Sequence, residues 1–226
     1  MFCSKQVDER YKTILGVIYA NPYTIGALSS RRLFLILPAY PLWFMVFRTE
    51  FMNFWTRILL AVSLLVLVTF MGRPELLKLR FRVRMSMILL GIVSGFLLYW
   101  LLYLGYVIFK PFVAKGAEEV YMLRHEAPQE FIALLLIFTS FGEEAYWRGF
   151  VQHELQERLG GIKGLLAASA VYSSVHIWTL NLPLMFIALI MGLCWGAAYL
   201  KTSSLQSIVL SHITWTELVF VFLPLT

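Results

Sequence analysis

The chain has 226 residues, 60% of them hydrophobic and 16% aromatic, and only 14% are charged, against about 25% in soluble domains. With a mean hydropathy of +0.75, this composition excludes a soluble globular fold and indicates an all-α, polytopic transmembrane helix bundle. The net charge of +6 does not imply a nucleic-acid partner, because the placement of Lys and Arg in a membrane chain follows topology.

The first dozen residues, MFCSKQVDERYK, are charged and polar. No cleavable signal peptide is expected, and the first span serves as the insertion signal. The stretch 16–30 is broken by Pro22 and Gly26 and reads as an interfacial or re-entrant piece. Seven apolar segments then follow as predicted spans, at 33–48, 52–71, 86–109, 129–152, 163–178, 183–200 and 206–225. A polar, acidic loop, KPFVAKGAEEVYMLRHEAPQE, is predicted between the third and fourth. With the N-terminus inside, the inner segments hold thirteen Lys and Arg and the outer ones four. This asymmetry predicts a cytoplasmic N-terminus. Cys3 and Cys194 cannot form a disulfide framework and read as ordinary thiols. No repeat or linker is visible, so 1–226 reads as one membrane domain, with N-terminal spans over 1–128 and the functional helices over 129–226.

Within the fourth segment, SFGEEAYWRGF places Glu143, Glu144 and Arg148 at the end of an apolar run. A charge at the bilayer centre costs about 2.5–3.5 kcal/mol on insertion scales, so it is paired or functional. Glu144 and Arg148 are four apart and share a helical face, which predicts an ion pair. Glu143 sits about 100° round the helix and lacks an obvious local partner. The alternative is that both glutamates end the helix as a solvated amphipathic tail with Arg148, Glu154, Glu157 and Arg158.

Of the four histidines, His125 and His153 fall in charged surroundings and read as surface residues, while His176 and His212 lie in apolar spans. Each of these two is either an interhelical hydrogen-bonding residue or part of a site. At about 1.5 Å per residue, Glu143 and His176 fall roughly 20 Å along antiparallel helices, near mid-depth. By the same rise His212 lies roughly 9 Å in.

The pattern Glu143-Glu144-x-x-x-Arg148-Gly149, then Tyr172-x-x-x-His176, then His212 on the last helix resembles the CPBP (CAAX protease and bacteriocin-processing, or Abi) family of intramembrane endopeptidases, whose motifs are EExxxR, FxxxH and HxxxN. The likeness covers about 130–220. Tyr172 stands where the family has Phe and keeps the aromatic ring, so little change is expected of it. Thr216 stands where the family has Asn or Asp, and offers one hydroxyl in place of an amide.

The resemblance implies a hydrolase that cuts a peptide bond of a membrane-embedded protein or peptide, near its C-terminus, in the lipid bilayer of a bacterial inner or plasma membrane. It makes Glu143 the base that activates a water and His176 the group that orients the water. His212, with Thr216, would hold the oxyanion, while Glu144 and Arg148 would fix the field around the base. No cofactor is favoured. A zinc version remains open, with Glu143, His176 and His212 as three ligands and an open fourth position. The departure at Thr216 argues against a prenylated CAAX tail. Two non-enzymatic readings stand beside this one. The first is a binding or immunity protein on the same scaffold. The second is a small transporter, for which the expected internal symmetry is not evident.

Overall fold

The computed structural model describes residues 32–74, 76 and 84–225. The interfacial segment expected at 16–30 lies outside them. The chain divides into two compact units, one ending at Ile36 and one running from Leu37. In the first unit, Arg32–Ile36 form a turn in which the Leu35 and Ile36 amides donate to the Arg32 and Leu33 carbonyls, both at 3.1 Å. The second unit carries every candidate site residue.

That second unit is an all-α bundle, with no strand among the described residues. Its elements are α1 (Ala39–Arg48), α2 (Phe54–Gly72), α3 (Met85–Met122), α4 (Gln129–Glu144), α5 (His153–Leu159), α6 (Gly161–Ser174), α7 (Leu182–Thr202) and α8 (Leu205–Glu217). A π-helical segment, Ala145–Gln152, continues α4 into α5, and a second, Leu218–Phe222, continues α8. A 3₁₀ turn, Val175–Thr179, ends α6.

Each expected span corresponds to helix, but four helical stretches are both long and apolar enough to cross a membrane: Phe54–Gly72, Met85–Glu126, Leu182–Thr202 and Leu205–Phe222. Of the other three expected spans, 129–152 is helical throughout but carries Glu143, Glu144 and Arg148, and the remaining two hold shorter helices. At about 1.5 Å per residue, α1, with ten residues, and α6, with fourteen, fall short of the roughly 30 Å hydrocarbon core.

The expected loop after residue 109 is mostly helical. α3 runs for 38 residues with Pro111 inside it, and Phe109 is non-helical at φ −103° and ψ 15°. Proline removes one amide donor and crowds the preceding turn, so the helix kinks there. It resumes afterwards because Ala, Lys and Glu in KPFVAKGAEEVYM are good helix formers.

Local chemistry sets the helix starts. Asn53 caps α2 by accepting from the Thr56 amide at 2.8 Å, and Glu126, from the turn after α3, accepts from the Phe54 amide at 2.6 Å. Both satisfy donors that a helix N-terminus leaves unpaired. Asn181 and Ser204 cap α7 and α8 in the same way, at 3.0 and 3.3 Å. Between α5 and α6 the chain turns back at Gly160, whose φ of +85° is costly for any residue with a Cβ.

Helices α3 and α8 pair closely. A Cβ on Gly91 would stand 2.7 Å from the Ser207 carbonyl oxygen, and one on Gly95 2.7 Å from that of Ser211. The Gly91-x-x-x-Gly95 pair therefore lets the two backbones touch, as small residues do between membrane helices. This contact holds α8, and with it His212, against the longest helix. Gly95→Leu is expected to cost about 1–3 kcal/mol through overpacking, read as a lower thermal midpoint in detergent. Gly105→Ala, where a Cβ meets nothing within 4 Å, is expected to leave the midpoint unchanged or slightly higher.

Candidate active site

The site is built where α4 passes into its π-helical continuation. Such wide turns shift side chains off the regular 100° spacing and are frequent at functional sites. Here the continuation is held by long-range bonds to its backbone and side chains. Arg73, just past α2, donates to the Gly149 carbonyl at 2.5 Å, and Gln152 donates to the Gly196 carbonyl at 2.9 Å.

Glu144 and Arg148 form the ion pair expected from their spacing, Nη1 to Oε1 at 3.0 Å, and are 0% and 2% exposed. The alternative of a solvated tail is therefore overturned for this pair, and Glu154 is also buried. The same Glu144 oxygen takes a second partner, Nδ1 of His212 at 2.8 Å. Facing a carboxylate, Nδ1 carries a proton and donates.

Trp195 of α7 completes this group. Its ring stacks on that of His212 at 4.1 Å between centroids and 26° between planes, and its indole N–H donates to Ser211 at 3.1 Å. The Arg148 guanidinium lies 5.4 Å from the Trp195 centroid and 4.8 Å from that of Tyr172, within cation–π range. His212 is thus fixed at its edge by Glu144 and at its face by Trp195.

Glu143 points elsewhere. It is half-buried, and its Oε2 accepts from the Tyr172 hydroxyl at 3.4 Å. His176 lies one helical turn beyond Tyr172, and its Nδ1 lies 2.8 Å from the Tyr172 carbonyl. A carbonyl only accepts, so Nδ1 carries the proton and Nε2 presents its lone pair. That lone pair faces the indole N–H of Trp43 at 3.5 Å. Trp43 belongs to α1, whose neighbouring Tyr40 hydroxyl is 2.6 Å from that of Ser174.

Glu143, His176, His212 and Thr216 all line one cavity of about 870 Å³, whose walls are mostly apolar and aromatic residues of α3 and α7. These residues of separate helices thus share one chamber, at whose edge His212 is bonded to Glu144.

Thr216 is bonded within its own helix. Its hydroxyl donates back to the carbonyls of His212 at 3.0 Å and Ile213 at 3.1 Å, and lies 3.2 Å from the Ser140 hydroxyl. A hydroxyl has one hydrogen, and the partners within reach of this one are the two backbone carbonyls and the Ser140 hydroxyl. Among the described residues, no three His, Cys, Asp or Glu side chains are grouped to hold a metal ion. His125 is exposed, as expected.

Trp195, Trp43 and the Tyr172 hydroxyl escaped the sequence reading. An aromatic residue in an apolar helix looks like core. The available signal for Trp195 was its place between small residues, Gly192 and Gly196, which lets a neighbouring helix come close.

Residues 128–217 match the family model of the Rce1-like type II CAAX prenyl endopeptidases. The match holds Glu143, Glu144, Arg148, His176, His212 and Thr216, and over this segment the chain is similar to the CPBP family of membrane proteases. No curated protein and no solved structure matches the chain.

Burial makes the two glutamates unequal for stability. Arg148→Ala leaves Glu144 in an apolar interior without its guanidinium counter-charge, with His212 as its remaining partner, and is expected to cost about 3–5 kcal/mol. Glu143→Gln, at a half-buried position with one long hydrogen bond, is expected to cost less than about 1 kcal/mol. Denaturation of both variants in detergent checks the contrast.

Proposed function

We propose that this protein is an intramembrane endopeptidase that hydrolyses a peptide bond of a membrane-embedded protein or peptide, near its C-terminus, with a water activated by Glu143. The observation that carries this reading is the separation of the adjacent glutamates. Glu144 is taken up by Arg148 and His212, whereas Glu143 keeps an oxygen open to the cavity that His176 and His212 also line.

In the proposed reaction Glu143 takes a proton from water, and the resulting hydroxide attacks the carbonyl carbon. His212 donates from Nε2 to the oxyanion. Because its Nδ1 proton is already given to Glu144, this donation requires the imidazolium form. Glu143, Glu144, Arg148 and His212 then sum to zero charge. The sum stays at zero when the proton moves to Glu143 and the negative charge appears on the substrate oxygen. Glu143 next delivers its proton to the leaving nitrogen as the C–N bond breaks, giving a carboxylic acid and an amine. Keeping net charge constant matters because a cavity with apolar walls screens poorly. His176 orients the water through Nε2 once the water replaces the Trp43 N–H there.

The distribution of Lys and Arg supports an N-terminus on the cytoplasmic side, and a bacterial inner membrane is the proposed location.

Glu143→Gln tests the reading. Comparing the C-termini of membrane proteins in cells with the wild type, the variant or neither protein is expected to show new C-termini with the wild type alone, a loss of at least about 100-fold in the variant. Product formation in isolated membranes is expected to persist under strong chelation. A non-catalytic binding protein predicts no new C-termini with any of the three.

A further inference from the structure

We propose that the Tyr172 hydroxyl is a positioning group for Glu143, holding Oε2 so that Oε1 is the oxygen left to take the proton from water. The inference rests on the endopeptidase reading. It starts from the one atom by which Tyr172 differs from a Phe, an atom for which packing alone has no use.

Tyr172 is 6% exposed, and its ring is enclosed by neighbours that prevent it from swinging. Trp147 and His176 stand edge-on, each at 5.2 Å between centroids, and the Arg148 guanidinium covers it at 4.8 Å. A buried phenol requires a hydrogen-bond partner, and the partner here is Glu143. Tyr172 is also the side-chain donor that Glu143 has among the described residues.

The same residue reaches the other half of the site. Its backbone carbonyl accepts from Nδ1 of His176 at 2.8 Å. Tyr172 therefore fixes the base through its side chain and the imidazole through its main chain, so the two groups that face the water are set by one residue. The hydroxyl bond, at 3.4 Å, is long. Bonds of this kind in unliganded sites tighten when substrate excludes solvent.

Tyr172→Phe removes the hydroxyl and keeps the ring, so the enclosing contacts stay and the fold is expected to hold. Isotope-edited infrared spectroscopy gives a readout that needs no substrate. With ¹³C-labelled glutamate, the Glu143 carboxyl band is assigned by its loss in Glu143→Gln. It is expected to shift in Tyr172→Phe, because the C–O stretch reports hydrogen bonding at that carboxyl. The rate at which new C-termini form in isolated membranes is expected to fall about tenfold, the worth of one hydrogen bond to a charged group, with the thermal midpoint unchanged. An unshifted band with a wild-type rate overturns the proposal. So does an unshifted band with a lower rate and a lower midpoint, which marks a packing role. If the wild type forms no new C-termini, the endopeptidase reading fails, and the band then decides the Tyr172–Glu143 contact separately.

Discussion

The constraint on which the site depends is the neutralisation of Glu144, a carboxylate with no exposure in an apolar bundle. An isolated buried charge of this kind costs several kcal/mol. Arg148 and His212 converge on a single one of its oxygens. The pairing ties the α4 continuation to α8, and Trp195 of α7 closes it by lying against both the imidazole and the guanidinium. Three helices are thereby locked at one point. Among the described residues, the second Glu144 oxygen and one Arg148 nitrogen have no hydrogen-bond partner, so the cluster is electrostatically matched but not saturated. In a low-dielectric surrounding, that leaves a strong field at the edge of the cavity.

Adjacency in the chain gives the two glutamates different fates. Successive residues of a helix point about 100° apart, so a helix that turns Glu144 into the protein core turns Glu143 toward the cavity. A single residue step thus separates a structural carboxylate from one available for proton transfer. The π-helical turn that follows places Tyr146, Trp147, Arg148, Phe150 and Gln152 all in the buried interior. That continuous burial keeps the pair rigid while Glu143 remains half-open.

The chain before the family segment does more than add spans. α1 delivers Trp43 to the Nε2 edge of His176, and α3 supplies one wall of the cavity from Leu101 to Tyr121. The kink at Phe109 and Pro111 divides that wall. Beyond it, Asn181 donates to the Gly116 carbonyl at 2.8 Å and to Glu119 at 3.1 Å, fastening the C-terminal half of α3 to the start of α7. Tyr121 adds a further tie, donating to the Val219 carbonyl and accepting from the Leu225 amide.

What the sequence by itself determined is what depends on near neighbours and on solvent. Its composition required a lipid environment and helices, since only helices and closed barrels satisfy the backbone there. The four-residue spacing of Glu144 and Arg148 determined their ion pair, because that geometry lies within one turn. Other features were decided only by tertiary structure. Whether His212 would meet Glu143 or Glu144 depended on the rotation of α8, across a separation of 68 residues. The approach of Trp43 to His176 spans 133 residues. The commitment of the Thr216 hydroxyl to its own backbone depended on the rotamer that packing against Ser140 selects. Periodicity gives the face of a helix but not the rotation and depth at which that face meets another, and those follow from close packing of whole side chains, here including the contact of Gly91 and Gly95 with α8.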